Sequence, residues 1–384
     1  MRRLLPGATI GMLGSGQLGR MFTQAARRMG YRVQVLSPTA GSPTGQLADV
    51  EVVADYADSD AVAEFAAGVD VVTLEFENIP SASLEAAASR AEVRPGVRAL
   101  HLTQHRGREK RFLAELGVPH VPYLEVPAGG DVAAAVSKVG TPCVVKTAGF
   151  GYDGKGQRLL EADADLPGAL ALAAEQPVVV EAFVELAAEL SVVAARGVDG
   201  RMASFAPAHN RHVHHILDLS AAPAALPAGV AAEARAVTEA VLDGLELVGV
   251  ACVEFFLDVR GRLLVNEVAP RPHNSGHLTI EGAETSQFEQ QLRAVAGLPL
   301  GSPMPRRPAA MANLLGELWQ GGEPDWAAAL EVPGVALHLY GKDVPRPGRK
   351  MGHLTATAEA VEVAEERVLQ ARALAARVSR QASA

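Results

Sequence analysis

The chain has 384 residues, 48% of them hydrophobic and 21% charged, the balance of an ordinary soluble globular protein with two or three structural units. Its 35 basic and 44 acidic side chains leave a net charge of −9, which argues against nucleic-acid binding through a general basic surface, so any bound anion must be held by a local cluster. Cys143 and Cys252 lie inside apolar runs and are too few for a disulfide framework, and no apolar stretch approaches the ~18 residues of a membrane span; a soluble cytoplasmic protein with reduced thiols is expected.

The opening MRRLLPGATIGML is interrupted by Pro6 and Gly7, so it reads as a first β-strand and not as a signal peptide. Strand TIGML runs into Gly14-x-Gly16-x-x-Gly19, whose glycines let the chain turn tightly and present backbone amides, and a helix follows from Gln17 to about Met29. A nicotinamide dinucleotide would also need an acidic side chain roughly 20 residues further on, at the end of the second strand. That strand, YRVQVLSP, ends in Ser37 and Pro38, and no Asp or Glu precedes Asp49, which leaves only an NADP reading through Arg32. Strands VEVVA and DVVTLEF, with a helix from about Asp58 to Ala67 between them, complete a parallel sheet wrapped by helices over residues 1–100. Ligands of such sheets sit beyond the carboxyl ends of the strands, the rim that carries the glycine turn and Glu75, Glu77 and Asn78 of TLEFENIP.

A helix containing REKRFLAELG closes at Gly117, and from about residue 120 the pattern changes to strands joined by short turns, with helices near 129–139 and 164–174. TPCVVKT and GQRLL flank a glycine loop, and QPVVVEAFV and AELSVVAAR flank an acidic one, which predicts an α+β unit with antiparallel pairing. The last ninety or so residues hold strands GVALHLYG and KMGHLTAT and an Ala-rich helix near Val361–Val378.

Three stretches carry chemistry. VVKTAGFGYDGKGQ ends a strand at Lys146 and follows it with a loop containing Gly149, Gly151, Gly154 and Gly156, a point charge and mobile amides suited to a triphosphate; the alternative is a flexible hairpin with a solvated lysine. In ACVEFFLDVRGRLLVNEVAPRPHNSGH, a two-residue turn at Arg260 and Gly261 would set Glu254 directly opposite Glu267. Like charges opposed in a sheet are unfavourable, and a shared Mg²⁺ resolves this unless one glutamate is protonated or pairs with an arginine. Next to this pair follow Arg271, His273 and Asn274; a lone arginine in a Pro-rich loop is usually structural, and its position beside Glu267 is what makes this one a candidate anion holder. YGKDVPRPGRKMGH gathers Lys342, Arg346, Arg349 and Lys350 against one Asp343, a cluster that suits a phosphate monoester.

The order Lys146, glycine loop, VVVEAFVELAAEL, Glu254 and Asn266-Glu267 resembles the ATP-grasp superfamily. More narrowly, GSGQLGRM, TLEFENIP, GYDGKGQ, NEVAPRPHNSGH and RPGRKMGH, in order from about residue 10 to 355, are similar to the 5-(carboxyamino)imidazole ribonucleotide synthases of purine biosynthesis. The resemblance implies an N-terminal Rossmann-like domain (1–100), a two-lobed ATP-grasp unit (101–295) with a small mobile lobe at about 120–185, and a small C-terminal domain (296–384). It implies a homodimer that takes only small molecules, with ATP and bicarbonate giving carboxyphosphate, whose carboxyl group passes to aminoimidazole ribonucleotide. Arg106, Lys146 and the loop Gly151, Tyr152, Asp153, Gly154, Lys155, Gly156 and Gln157 would then contact ATP phosphates. Glu181, Ala182, Phe183 and Val184 would form the hinge that reads adenine, with Glu189, His212, Asn266 and Glu267 also on the nucleotide side. Gln17, Leu18 and Glu75 would line the ribonucleotide, and Lys342, Arg349 and Lys350 would take its phosphate. Asp153, Arg271, His273, Asn274 and Lys350 would serve the chemical step, with Arg271 holding bicarbonate and then carboxyphosphate, and Asn274 would touch the substrate as well.

The sequence departs from the family pattern at His209, where Glu is common, at Leu278, where Trp is common, and at Ala148 and Gly149, where Arg often stands. None of these removes a metal ligand or the loop. The nearest rival is a formate-dependent glycinamide ribonucleotide transformylase, which shares the RPH segment and a basic C-terminal loop; GQLGRM and GYDGKGQ favour the carboxylating enzyme. A dead nucleotide-binding regulator would lack a metal carboxylate, and both are present.

Overall fold

Strand β1 (Thr9–Leu13) is buried from Ile10 onward, as a strand in a parallel sheet covered on both faces must be. It pairs in parallel with β2 (Arg32–Ser37) and β4 (Val71–Leu74), and β3 (Val50–Val53) adds outside β2, giving the order β3–β2–β1–β4. Helix α1 (Gln17–Arg28) buries Leu18, Met21, Phe22 and Ala26, one apolar stripe at helical spacing. Helix α2 (Ser59–Ala67) begins where the Asp58 carboxylate accepts from the Ala61 amide, and the short α3 (Ser81–Ala88) and α4 (Val97–Thr103) complete this unit. The computed structural model describes residues 3–149, 156–162 and 165–377.

Helix α5 (Arg106–Glu115) leads into a second sheet. Strands β5 (Tyr123–Val126), β6 (Cys143–Thr147), β7 (Gln157–Leu160) and β8 (Val178–Ala182) pair antiparallel in the order β5–β8–β6–β7. Helices α6 (Val132–Val139) and α7 (Leu166–Glu175) cover it, around a core that includes Val132, Cys143, Val145, Ala169 and Val180.

The third sheet has nine strands, all antiparallel. Strands β9 (Leu186–Arg196), β10 (Met202–Ser204), β11 (Ala208–Val213), β12 (Ile216–Ala222), β13 (Gly249–Asp258) and β14 (Leu263–Ala269) are continued by β15 (Ala309–Leu315), β16 (Val335–Leu339) and β17 (Lys350–Thr357). The order is β14–β13–β9–β11–β12–β15–β17–β16, with β10 beside β9, so the C-terminal strands extend the central sheet. Helix α8 (Val230–Gly244) and α5 cover one face, where Val253, Phe255 and Leu257 of β13 join Phe112, Leu113, Val241 and Leu242. The period of two along β13 sends Glu254 and Phe256 to the other face. Helices α9 (Thr279–Gly282) and α10 (Gln287–Val295) pack toward the N-terminal sheet, and α11 (Trp326–Leu330) and α12 (Val361–Ala375) cover the C-terminal strands.

The β13–β14 hairpin corrects the expected turn while keeping the expected pair. Near the turn the register is Leu257↔Leu263, closed by the Asp258 amide donating to the Arg262 carbonyl at 3.0 Å, so three residues form the loop, with Gly261 at φ +78°. The register then shifts between Glu254 and Phe255, whose partners are Glu267 and Val265. Asn266 is the extra residue of a β-bulge, and the bulge restores Glu254 opposite Glu267.

The β11–β12 turn is made by His214 and His215 at φ +50° and +64°, with Val213 paired to Ile216 across it. Such a two-residue turn favours Asn-Gly, because at positive φ the Cβ crowds the following carbonyl oxygen at a cost of roughly 1 kcal/mol or more per residue, which Gly escapes and Asn tolerates better than His. Replacing His214-His215 with Asn-Gly is therefore expected to stabilise the protein by about 1 kcal/mol, read as a higher thermal midpoint. A lower midpoint would show that the histidines contribute more by contact than the turn costs.

Candidate active site

The three sheets enclose a cleft of about 580 Å³. Gln17, Leu18, Glu75, Arg106, Lys146, Gln157, Glu189, His212, Glu254, Asn266, Glu267, Arg271, His273, Asn274 and Lys350, all singled out in the sequence, share its wall. Elements far apart in the chain meet there because the carboxyl rim of the parallel sheet faces the polar side of the central sheet.

At the N-terminal wall the glycine turn is filled from within. The Glu75 carboxylate accepts from the Gly19 amide at 2.8 Å and also from the Gly16 amide, the groups that would otherwise bind a pyrophosphate at the start of α1. Gly14, at φ +109°, lies where a Cβ would overlap Glu75. Burial raises the Glu75 carboxyl above its ordinary range, and the two amides oppose that rise. Arg32 donates to the Gly7 carbonyl at 3.0 and 3.2 Å, so neither part of a dinucleotide reading has a free partner here.

On the small sheet, the Lys146 ammonium lies 2.7 Å from Glu181 and 3.4 Å from the Asn266 Oδ1, and fully buried Lys110 lies 2.9 Å from the other Glu181 oxygen. Burial alone would raise the Glu181 carboxyl, but the two ammonium groups outweigh it and hold it at about 2. Glu181 is therefore an ion-pair partner of the lysine, a role the hinge assignment did not contain. The amides of Ala182 and Phe183 donate to the carbonyls of Pro122 (2.9 Å) and Pro142 (3.3 Å). The Phe183 ring is exposed, and none of residues 181–184 lines the cleft. Gly156, at φ +73°, closes against Thr147, while Gly151, Tyr152, Asp153, Gly154 and Lys155 lie outside the described residues.

Across the cleft, Glu254 and Glu267 oppose each other as expected. Burial first, and the Glu267 charge second, push Glu254 up to about 7. The Ser275 amide donates to His273 Nδ1 at 3.3 Å, so Nε2 carries the proton and faces Glu254 Oε1 at 3.2 Å. Burial, helped by Arg271 and Lys350, lowers His273 well below its ordinary range and keeps it neutral. Arg106 donates to the Thr147 carbonyl at 2.8 Å and stands 3.8 Å from Glu267. His212 is hydrogen-bonded to Glu189; burial would lower its pKa, and the glutamate raises it.

This donor set fits Mg²⁺. The carboxylates of Glu254 and Glu267, with the Asn266 amide oxygen beside them, are hard oxygen ligands whose mutual repulsion a divalent cation would relieve. Among the described residues no three His, Cys, Asp or Glu side chains gather to hold a metal unaided, so phosphates and water would supply the remaining ligands.

Asn274 forms a reciprocal amide pair with Asn313, at 3.1 and 2.6 Å, which fixes its plane at the cleft edge. In the basic loop only Lys350 of the three proposed phosphate ligands reaches the cleft wall. Lys342 donates to the Lys350 carbonyl at 2.7 Å, and Arg349 to the Val344 carbonyl at 2.7 Å. Sequence reasoning gave no role to Phe76, Asn210 or His215, which also line the wall. Asn210 could have been found by stepping back two residues from His212 along the strand. Buried Glu109, pushed up to about 8 by burial and by Glu267, lies behind the carboxylate pair and accepts from the Val268 amide at 3.1 Å.

The residues 7–104, 111–288 and 309–367 match models of, respectively, the ribonucleotide synthetase preATP-grasp domain, the ATP-grasp domain and the phosphoribosylaminoimidazole carboxylase C-terminal domain. The chain is 42% identical over 352 residues to the N5-carboxyaminoimidazole ribonucleotide synthase of Bacillus subtilis, covering 92% of each chain. It belongs to the N5-carboxyaminoimidazole ribonucleotide synthase family. The family's synthase from Brucella melitensis is 44% identical over 354 residues, 92% of this chain and 97% of that one. Among solved structures, the ADP complex of an N5-carboxyaminoimidazole ribonucleotide synthetase superposes with a TM-score of 0.92 at 41% identity, covering 97% of this chain and 98% of that one. The Aspergillus clavatus synthase, in complex with ADP and 5-aminoimidazole ribonucleotide, gives 0.89 at 31% identity, covering 97% and 100%. The chain is thus an ATP-grasp ligase, built on an N-terminal parallel sheet, an ATP-grasp unit and a C-terminal family domain. No helix among the described residues is long and apolar enough to cross a membrane.

Proposed function

We propose that this enzyme carboxylates 5-aminoimidazole ribonucleotide with bicarbonate at the expense of ATP, through carboxyphosphate, giving N5-carboxyaminoimidazole ribonucleotide, ADP and phosphate. A single observation carries the reading: the opposed Glu254 and Glu267 share one cleft with the start of α1 on one side and Lys350 on the other. ATP and a phosphorylated acceptor can therefore meet there without either leaving the wall.

Lys146, Arg106 and Gln157 bind the ATP phosphates, and Glu189 with His212 faces the ribose. Glu254 and Glu267 would hold Mg²⁺, which would neutralise charge on the transferring phosphoryl group. Arg271 orients bicarbonate so that its oxygen attacks the γ-phosphorus in line while the bond to the β,γ-bridging oxygen breaks and ADP leaves, and then steadies the carboxyphosphate. The amine of the ribonucleotide attacks the carboxyl carbon, the carbon–oxygen bond to phosphate breaks, and the amine loses a proton. Neutral His273, its Nε2–H turned toward Glu254, holds that carboxylate in place. Gln17, Leu18 and Glu75 line the ribonucleotide, and the 342–350 loop takes its phosphate. A cytoplasmic homodimer belongs to the same reading.

The test is phosphate release under two sets of co-substrates. Bicarbonate with aminoimidazole ribonucleotide supports turnover, and formate with glycinamide ribonucleotide does not. Turnover with the second pair and none with the first would assign the chain to the transformylase reaction.

A further inference from the structure

Arg271 does not stand alone in the cleft. Its Nη2 donates to Glu77 Oε1 at 3.1 Å and its Nε donates to Glu77 Oε2, while Nη1 reaches the Pro272 carbonyl at 3.2 Å. The two partners are 194 residues apart, one after β4 of the N-terminal sheet and the other after β14 of the central sheet. Their side chains are 18% and 19% exposed, so the pair is shielded from water and a single unpaired charge there would be costly. Glu77 is itself held: its carbonyl accepts from Gln104 Nε2 at 2.6 Å, and the same amide group reaches the Ile79 carbonyl at 2.7 Å. Burial would raise the Glu77 carboxyl, but Arg271 outweighs burial and keeps it ionised.

We propose that Glu77 is a positioning residue, fixing the guanidinium of Arg271 so that its remaining donors face the cleft. A guanidinium has five N–H bonds in a rigid fork. Three are used on Glu77 and Pro272, leaving one on each terminal nitrogen, a pair matched to two oxygens of a small planar anion. Glu75, two residues earlier, does different work on the amides of Gly16 and Gly19 and cannot substitute. The pair also bridges two sheets, so the anion site is complete only when the N-terminal sheet and the central sheet are docked. This inference rests on the reading that Arg271 holds bicarbonate.

The experiment measures kcat and the KM of each substrate for wild type, Glu77→Gln, Arg271→Lys and the double variant, all as the full chain. Glu77→Gln keeps the shape and loses one acceptor, so it is expected to raise the bicarbonate KM about tenfold and leave the ATP KM within about twofold. Arg271→Lys cannot donate two parallel bonds to Glu77 and should do at least as much, and adding Glu77→Gln to it should change little. Multiplying effects in the double variant, or a normal bicarbonate KM in Glu77→Gln beside a raised one in Arg271→Lys, would overturn the inference. A normal bicarbonate KM in Arg271→Lys would instead remove the reading beneath it. A purely structural role would lower the thermal midpoint and shift all three KM values together, which also contradicts the proposal. If Glu77→Gln does not fold, Glu77→Asp, which keeps the charge and shortens the reach, undergoes the same measurements with the same expectations.

Discussion

Replacing Glu254 with Gln should cut ATP turnover by about a thousandfold or more, the loss of roughly 4 kcal/mol of charge stabilisation at the transferring phosphoryl group, and should also raise the thermal midpoint of the ligand-free protein at pH 8. The two effects have one cause. Glu254 is half-buried opposite Glu267, and its pKa is lifted from 4.5 to about 7 in the folded chain. An acid whose pKa is raised on folding binds its proton more tightly in the folded state, so the folded state is penalised once the proton is lost. Below pH 4.5 both states are protonated and the penalty is absent. It grows through the interval from 4.5 to 7 and is complete above it. Gln keeps an oxygen for His273 Nε2 and carries no charge, so the variant escapes the penalty. Its advantage at pH 8 should vanish near pH 4, and adding Mg²⁺ with ATP should stabilise the wild type more than the variant. A variant less stable than wild type at pH 8, or one that turns ATP over normally at saturating magnesium, would contradict the assignment.

Arg349→Ala is expected to raise the KM for aminoimidazole ribonucleotide ten- to a hundredfold, while the ATP KM stays close to normal. A charge-assisted hydrogen bond to phosphate is worth about 1.5 to 3 kcal/mol, which sets that range. The structure adds a reason for the selectivity. Arg349 holds the Val344 carbonyl at 2.7 Å, its own carbonyl accepts from the Gly316 amide at 2.9 Å, and the next residue, Lys350, lines the cleft and shares a carbonyl contact with Lys342. Losing Arg349 therefore removes a charge and loosens the loop that presents the other two, whereas the ATP side depends on Lys146, Arg106 and the Glu254–Glu267 pair. Measuring each KM with the other substrates saturating decides the matter. A defect in ATP with normal ribonucleotide affinity would move the basic loop to the nucleotide.

Strands bounded by glycine or proline and buried on both faces were legible in the sequence: TIGML corresponds to β1 and KMGHLTAT to β17. The short helices α3 and α4 were not, because their buried positions are few and their Ala-rich sequence carries little periodicity. Strands β10 to β12 were also missed, since the His214-His215 turn lacks the Asn-Gly signature that marks a two-residue hairpin. The Glu254–Glu267 pair was found from a turn that is in fact one residue longer, because the bulge at Asn266 compensates. Contacts made across long separations left no local trace. Glu181 with Lys110 and Lys146, Glu75 inside the glycine turn, and Glu77 against Arg271 are each set by how sheets dock, which spacing does not encode.

The measurement closest to the central claim follows oxygen. With bicarbonate fully labelled with ¹⁸O, attack on the γ-phosphorus makes a bicarbonate oxygen the bridge of carboxyphosphate, and cleavage of the carbon–oxygen bond leaves that atom on phosphate. One ¹⁸O per released phosphate, in step with formation of the carboxylated ribonucleotide, is the expected result. Unlabelled phosphate accompanying full product formation would contradict activation of bicarbonate in this cleft.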